Sequence, residues 1–289
     1  MRQAPLPDGT PLPVLGLGTW RLGEDLCTRL DEIRTLHAAI AMGYRLIDTA
    51  EMYGEGGAEK VVGAAVNAAV RAGDVNREAL YVVSKVYPHN ASRHGTVAAC
   101  ERSLRRLELD HIDLYLLHWR GNHPLKDTVA AMQALVAAGK IRHWGVSNFD
   151  VDDMQELMAL LRRGEAGAPG CATNQVYYSL SERGPEFSLL PRMRELQMPL
   201  MAYSPIDQGA LGANETLTAI AEPRGLTAAQ VALAWISSQS GVLAIPKAGT
   251  LRHLQQNLAA GAIELDATEQ QAIEVRFPPP RRKLPLAMI

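Results

Sequence analysis

Short apolar runs and longer amphipathic stretches alternate along most of this chain. The runs cover residues 44–47, 80–83, 112–117, 141–146, 171–176, 199–202 and 242–245, and each has the length of a strand buried on both faces. Between them, apolar side chains step by three or four positions: Leu30, Ile33, Leu36 and Ile40; Val97, Cys100, Leu104 and Leu107; Val129, Met132 and Leu135; Met154, Leu157 and Leu161. That spacing predicts helices with one apolar stripe against a sheet. Asp150 and Thr250 stand where N-caps are expected, and Gly43 and Gly139 stand at two expected helix ends. Upstream, Asp8-Gly9 separates two short apolar arms between Leu6 and Leu17, which predicts a β-hairpin. With residues 13–17 as a first strand, eight strands alternate strictly with helical segments. This favours a single (β/α)8 TIM barrel with an N-terminal β-hairpin, one domain over 1–289, rather than an open doubly wound sheet. The Pro-rich tail, 277–289, is expected to lie over the surface.

Composition narrows the picture without redirecting it. The 289 residues are 47% hydrophobic and 21% charged, with a formal net charge of −2. Nothing in that balance draws the chain broadly to nucleic acid or to an anionic membrane, so any anion site must be local. Cys27, Cys100 and Cys171 lie far apart, outside any CxxC or Cys/His cluster, which speaks against a disulfide framework and against a metal site. The N-terminus lacks a signal-peptide pattern, and no apolar run approaches the roughly 18–20 residues of a membrane span. A monomer in a reducing cytoplasm is the expectation.

The informative feature is the type of residue at the C-terminal edge of each apolar run. Ile47 gives way to Asp48, Ser84 to Lys85, Leu117 to His118, Val146 to Ser147-Asn148, Thr173 to Asn174-Gln175, Ala202 to Tyr203-Ser204, and Pro246 to Lys247. In a (β/α)8 barrel these strand ends form the face on which active sites are built. Taken singly, each residue has an ordinary explanation: the Asp as a turn or cap residue, the His as a structural one, the Lys as a side chain snorkelling to water. An acid, an amine and an imidazole at strand ends, with Tyr53 five residues past Asp48, together suggest chemistry. A phenol of intrinsic pKa about 10 is a weak general acid at neutral pH unless its phenolate is stabilised. The Lys85 ammonium supplies that stabilisation, Asp48 keeps Lys85 charged, and His118 orients a carbonyl. Such a set donates a proton to a carbonyl oxygen, while a hydride must come from elsewhere.

Seven segments carry a resemblance. Gly16-Leu-Gly-Thr-Trp20, Leu46-Ile-Asp-Thr-Ala-Glu-Met-Tyr-Gly54, Val83-Ser-Lys85, Asp113-Leu-Tyr-Leu-Leu-His-Trp119, Gly145-Val-Ser-Asn-Phe149, Asn174-Gln-Val176 and Ile245-Pro-Lys247 resemble the aldo-keto reductase family from end to end. Asp48-Thr-Ala-Glu-Met-Tyr53 and Pro246-Lys-Ala-Gly-Thr250 look most like its bacterial methylglyoxal reductase branch. The resemblance implies a catalytic tetrad of Asp48, Tyr53, Lys85 and His118. It implies cofactor contacts from Gly18, Thr19 and Trp20, carboxamide contacts from Ser147, Asn148 and Gln175, and stacking of Tyr203 on the nicotinamide. Ser204 and the loop onward to Leu211 would lie along the pyrophosphate. At the adenosine end it implies Lys247, Thr250, His253, Gln256 and Asn257, and there a helix N-terminus beside a lysine is also a physically apt anion site. One departure is His253, where many family members carry arginine. NADPH is the expected cofactor, with NADH an alternative. Gly16-Leu-Gly18 is not a dinucleotide fingerprint, because position 21 is Arg and no strand-turn-helix of that type comes after it.

Trp20, Met52, Trp119 and His118 are the expected substrate contacts, with Ile206 as an addition to the same pocket. Short loops fit a small α-ketoaldehyde such as methylglyoxal, or a simple aromatic aldehyde, better than a steroid. Two other readings use the same residues. Lys85 forming a Schiff base would make the chain a barrel lyase or aldolase. A cofactor-binding regulatory subunit with little turnover is the other.

Overall fold

The computed structural model describes residues 2–164 and 167–289. The chain opens with a hairpin, β1 (Gln3–Pro5) antiparallel to β2 (Pro11–Pro13). Its turn is shaped by Asp8, whose carboxylate accepts from Thr10 N at 2.9 Å, and by Gly9 at φ +87°. The hairpin expected between Leu6 and Leu17 therefore starts earlier, at Gln3. Strands and helices then alternate: β3 (Leu17–Gly18), α1 (Arg29–Met42), β4 (Leu46–Asp48), α2 (Gly57–Ala72), β5 (Tyr81–Val86), α3 (Arg93–Leu107), β6 (Ile112–Leu117) and α4 (Leu125–Ala137). Next come β7 (Ile141–Ser147), α5 (Val151–Arg163), β8 (Cys171–Tyr177), α6 (Leu189–Glu195) and β9 (Leu200–Tyr203). The chain ends with α7 (Glu215–Ala221), α8 (Ala228–Ser238), β10 (Val242–Ala244), α9 (Leu251–Ala260) and α10 (Ala267–Arg276). It partitions into two compact units, Leu17–Thr173 and the residues up to Gly16 together with Asn174–Ile289.

In the unit Leu17–Thr173, β3 to β7 pair in parallel with their chain neighbours. Gly18 lies opposite Asp48, Asp48 opposite Val83, Lys85 opposite Leu116, and Leu117 opposite Val146. This register sets the C-terminal strand ends beside one another. β5 and β6 are buried throughout, as apolar runs lacking polar alternation require. α2 buries Val61, Val62, Ala65, Val66 and Ala69, and α3 buries Cys100, Leu104 and Leu107. Each larger aliphatic side chain so covered contributes about 1.5–3 kcal/mol. α1 departs from its predicted stripe: Leu36, Ala39 and Ile40 are buried, while Leu30, nearer its start, is 65% exposed. Gly43 closes α1 at φ +111°, Gly139 lies just past α4 at φ +68°, and Asp150 caps α5 in a capping box with Asp153. At the opposite strand ends Asp113 accepts from Val82 N at 2.9 Å and from Arg77 at 2.7 Å.

In the other unit β8, β9 and β10 are parallel neighbours, with Val176 opposite Ala202 and Ala202 opposite Ala244. Leu15 bridges to Ala244, so part of the predicted first strand pairs here and the rest forms β3. α8 is buried along nearly its whole length and starts from a Thr227–Gln230 capping box. Arg183 fastens the end of α10: it pairs with Glu186 at 2.7 Å and Glu274 at 2.9 Å, donates to the Phe277 carbonyl, and lies over the Trp235 ring. Residues 277–289 form neither helix nor strand, and most of them are exposed.

Candidate active site

Lys85 lies near the end of β5, next to β4, which ends on Asp48. Its side chain has no exposed surface, and the Asp48 carboxylate is 3% exposed. Lys85 Nζ donates to Asp48 Oδ2 at 2.7 Å, to the Thr49 carbonyl at 3.0 Å and to the Tyr53 hydroxyl oxygen at 3.2 Å. An ammonium has three protons, so its donor capacity is used up. The Tyr53 hydroxyl receives one of those bonds, and its own proton remains to be given to a third group. The His118 ring meets the Tyr53 ring edge-on, centroids 5.8 Å apart. The four residues expected to form one cluster are thus brought together.

Electrostatics sort them into roles. Burial alone would depress the Lys85 ammonium, but Asp48 and Tyr53 outweigh it, and Lys85 sits above its ordinary value and stays charged. For Tyr53, burial pushes the phenol up while Lys85 pulls it back, with a net rise, so Tyr53 holds its proton at neutral pH. Burial, with the Lys85 charge second, lowers His118 well below an ordinary histidine, which makes it a neutral imidazole. A buried Lys–Asp pair is costly to desolvate, and removing one partner strands the other charge.

Close backbone packing positions the Tyr53 loop. Gly23, at φ +71°, approaches Gly57 so tightly that a Cβ on it would lie 2.2 Å from the Gly57 carbonyl carbon. Any side chain there would push the segment after β3 off the start of α2, and only glycine takes this φ freely. Thr19 ties the same segment to β4, donating its N–H at 3.0 Å and its hydroxyl at 2.9 Å to the Asp48 carbonyl.

Other expected residues of this unit fall nearby. Asn148, with a left-handed φ of +58°, donates to the His118 carbonyl at 3.1 Å and to the neighbouring Ser147 hydroxyl at 3.2 Å. Trp119 packs on His118 with centroids 4.8 Å apart and meets Tyr87 edge-on at 5.4 Å. Trp20 is 38% exposed, with the Arg21 guanidinium over its ring, and Met52 is half-buried. Sequence reasoning missed Tyr87, although it lies two positions past Lys85 and a strand repeats its faces with that period. It also missed Glu51, whose carboxylate accepts from Tyr87 N at 2.7 Å.

In the second unit, Gln175 is buried and its amide reaches Met201 Sδ at 3.9 Å. Tyr203 stacks on Tyr177, centroids 5.8 Å apart, and Tyr177 donates to Asp207 at 2.5 Å. Ser204, Asp207 and Gln208 all have left-handed φ, between +48° and +51°. Such conformations in non-glycine residues concentrate at functional loops. Thr250 caps α9 by accepting from His253 N at 3.2 Å. Lys247, Arg252 and His253 are exposed, while Gln256 is half-buried and Asn257 buried. Among the described residues no group of three or more His, Cys, Asp or Glu could hold a metal ion, and no helix is long and apolar enough to cross a membrane.

The strand ends and the loop after β4 thus gather a proton-holding tyrosine, a charged lysine and a neutral histidine. The chain belongs to the aldo/keto reductase family, whose sequence profile matches residues 14–275. It is 49% identical to methylglyoxal reductase YeaE of Escherichia coli (strain K12) over 283 residues, 96% of this chain and 95% of that one. It is 36% identical to glyoxal reductase of Bacillus subtilis (strain 168), covering 93% of this chain and 90% of that protein. Among solved structures, an aldo-keto reductase from Klebsiella pneumoniae in complex with NADPH matches at a TM-score of 0.91 and 45% identity over 100% of both chains. The fold is therefore the (β/α)8 barrel that the alternation predicts, with an N-terminal hairpin, and the protein is an NAD(P)H-dependent oxidoreductase.

Proposed function

We propose that this protein is an NADPH-dependent aldehyde reductase acting on small α-ketoaldehydes such as methylglyoxal, or on simple aromatic aldehydes, with Tyr53 as proton donor. The observation that carries the reading is the saturation of Lys85: its three protons go to Asp48, Thr49 and Tyr53, which leaves the phenol's own proton for the substrate. The similarity to methylglyoxal and glyoxal reductases supports the substrate class. The NADPH-bound Klebsiella relative supports the cofactor. The residues of each unit suit parts of that cofactor: in the unit Leu17–Thr173, Ser147 and Asn148 carry hydroxyl and amide groups that a carboxamide could use, and in the other, Gln175 carries an amide and Tyr203 an aromatic ring. Lys247, Arg252 and the capped start of α9 suit a phosphate. A reduced nicotinamide held by these residues would supply the hydride for the carbonyl carbon. His118, neutral, donates a hydrogen bond to the carbonyl oxygen and fixes its direction. Tyr53 passes its proton to that oxygen, and the Lys85 ammonium stabilises the phenolate left behind. Asp48 keeps Lys85 charged throughout.

A Schiff-base role for Lys85 is disfavoured, because an ammonium held by Asp48 has no lone pair to attack a carbonyl. The unbroken family match over 14–275 supports reading 1–289 as one domain. The three free cysteines support a reducing cytoplasm, and we take the protein to act there as a monomer. Tyr53→Phe tests the reading. NADPH binding, monitored by fluorescence, should be kept, while methylglyoxal-dependent NADPH oxidation falls by about three orders of magnitude or more. Retained turnover would remove Tyr53 from its role.

A further inference from the structure

The chemistry above makes no use of Glu51, a carboxylate only 7% exposed and two residues before Tyr53. Its Oε1 accepts from Tyr87 N at 2.7 Å and from Asn90 Nδ2 at 3.0 Å, both in the segment that continues β5 beyond Lys85. Its Oε2 faces Arg102 at 3.5 Å and Arg106 at 3.8 Å, both on α3. Its backbone N–H donates to the Lys85 carbonyl at 3.3 Å. Arg106 in turn pairs with the buried Glu59 of α2 and lies against Gly56, where a Cβ would come within 2.5 Å of Arg106 Cδ. The loop bearing Tyr53 is thus fastened at both ends, before the tyrosine by Glu51 and after it by Arg106 on Gly56.

A buried carboxylate is costly unless it is paired and hydrogen-bonded, and a loop that had only to turn would not need one. Here both oxygens are engaged, and every partner lies on β5, its extension or α3. The bond that this fastening governs is the longest of the three that Lys85 makes, 3.2 Å to the Tyr53 hydroxyl. That length is at the far end of the range for N–H···O bonds, so a small drift of the loop breaks it.

We propose that Glu51 is a positioning residue for the reduction, setting the separation between the Tyr53 hydroxyl and Lys85 Nζ by tying the Tyr53 loop to the continuation of β5. The inference rests on Tyr53 being the proton donor. Glu51→Gln keeps the size of the side chain but presents an amide donor either to Tyr87 N or to the arginines. Steady-state and single-turnover kinetics with NADPH and methylglyoxal would compare Glu51→Gln, Tyr53→Phe and the double variant as full-length proteins. In Glu51→Gln, kcat is expected to fall about tenfold, with the Kd for NADPH changed by less than about twofold and a larger isotope effect from deuterated NADPH. In the Tyr53→Phe background the same substitution is expected to cost nothing further, because its effect passes through the phenol. Asn90→Ala, which removes one donor to Oε1, should lower kcat by about two- to threefold, and it decides the matter if Glu51→Gln does not fold. Unchanged kcat, or an equal loss with and without the phenol, overturns the positioning role. Full activity of Tyr53→Phe would overturn the proton-donor reading instead and take the role of Glu51 with it.

Discussion

Lys85 has no exposed surface and three engaged protons, whereas Arg252 and His253, at the start of α9, project into solvent. Around Lys85 each polar partner is within 3.2 Å. Thr250 is engaged in starting α9, its hydroxyl accepting from His253 N and its carbonyl from Leu254 N, and the loop at 204–208 holds three non-glycine residues at left-handed φ. Under the function proposed above, the difference reflects the task of each region. A phenol can be tuned by an ammonium only at fixed distance in a low-dielectric setting, and the bonds of Lys85 supply such a distance. A dinucleotide phosphate is held by charge, which acts at longer range and tolerates side chains that reach in from water.

The largest effects are expected at the buried cluster. Lys85→Met should lower turnover by about three orders of magnitude or more and destabilise the fold by about 3–5 kcal/mol, because it leaves the Asp48 carboxylate buried without its cation. Single-turnover rates and urea midpoints check the two effects, and a loss of stability well under about 1 kcal/mol would mean that the cluster is not held as tightly as its distances imply. A smaller effect is expected from His118. Its folded-state pKa is depressed by burial and by Lys85, so the unfolded chain takes up a proton first, near the ordinary value of 6.5. The stability contributed by the neutral ring is complete above that pH and is lost as pH falls below it, on the order of 1 kcal/mol per pH unit. Between neutral and mildly acid pH, urea midpoints should fall less in His118→Asn than in the parent, and identical acid sensitivity would place His118 in contact with water. At the exposed side, His253→Arg should tighten NADPH by up to about tenfold, with little change for NADH. Equal shifts for both cofactors would place His253 away from the phosphate.

Much of the site was legible before the fold. The four reactive residue types stand at strand ends or in one short loop, and their positions can be read from where the apolar runs stop. The caps at Asp150 and Thr250 were legible for the same reason, since capping is a local contest between side chain and backbone. Glu51 and Tyr87 were not, because their roles consist of contacts with residues about 30 or more positions away. The exposure of Leu30 was also hidden, since a helical stripe says which face is apolar but not how far along the helix a neighbour extends.

Local periodicity, acting over a few residues, was enough to settle the order of strands and helices and the choice of polar groups at their ends. It could not settle whether Lys85 would reach Asp48 and Tyr53, which lie 37 and 32 positions away. That was decided by the register between parallel strands and by the close approach of Gly23 to Gly57. Hydrogen bonding at a fixed distance depends on backbone placement to within a fraction of an ångström, and only the packed chain specifies that.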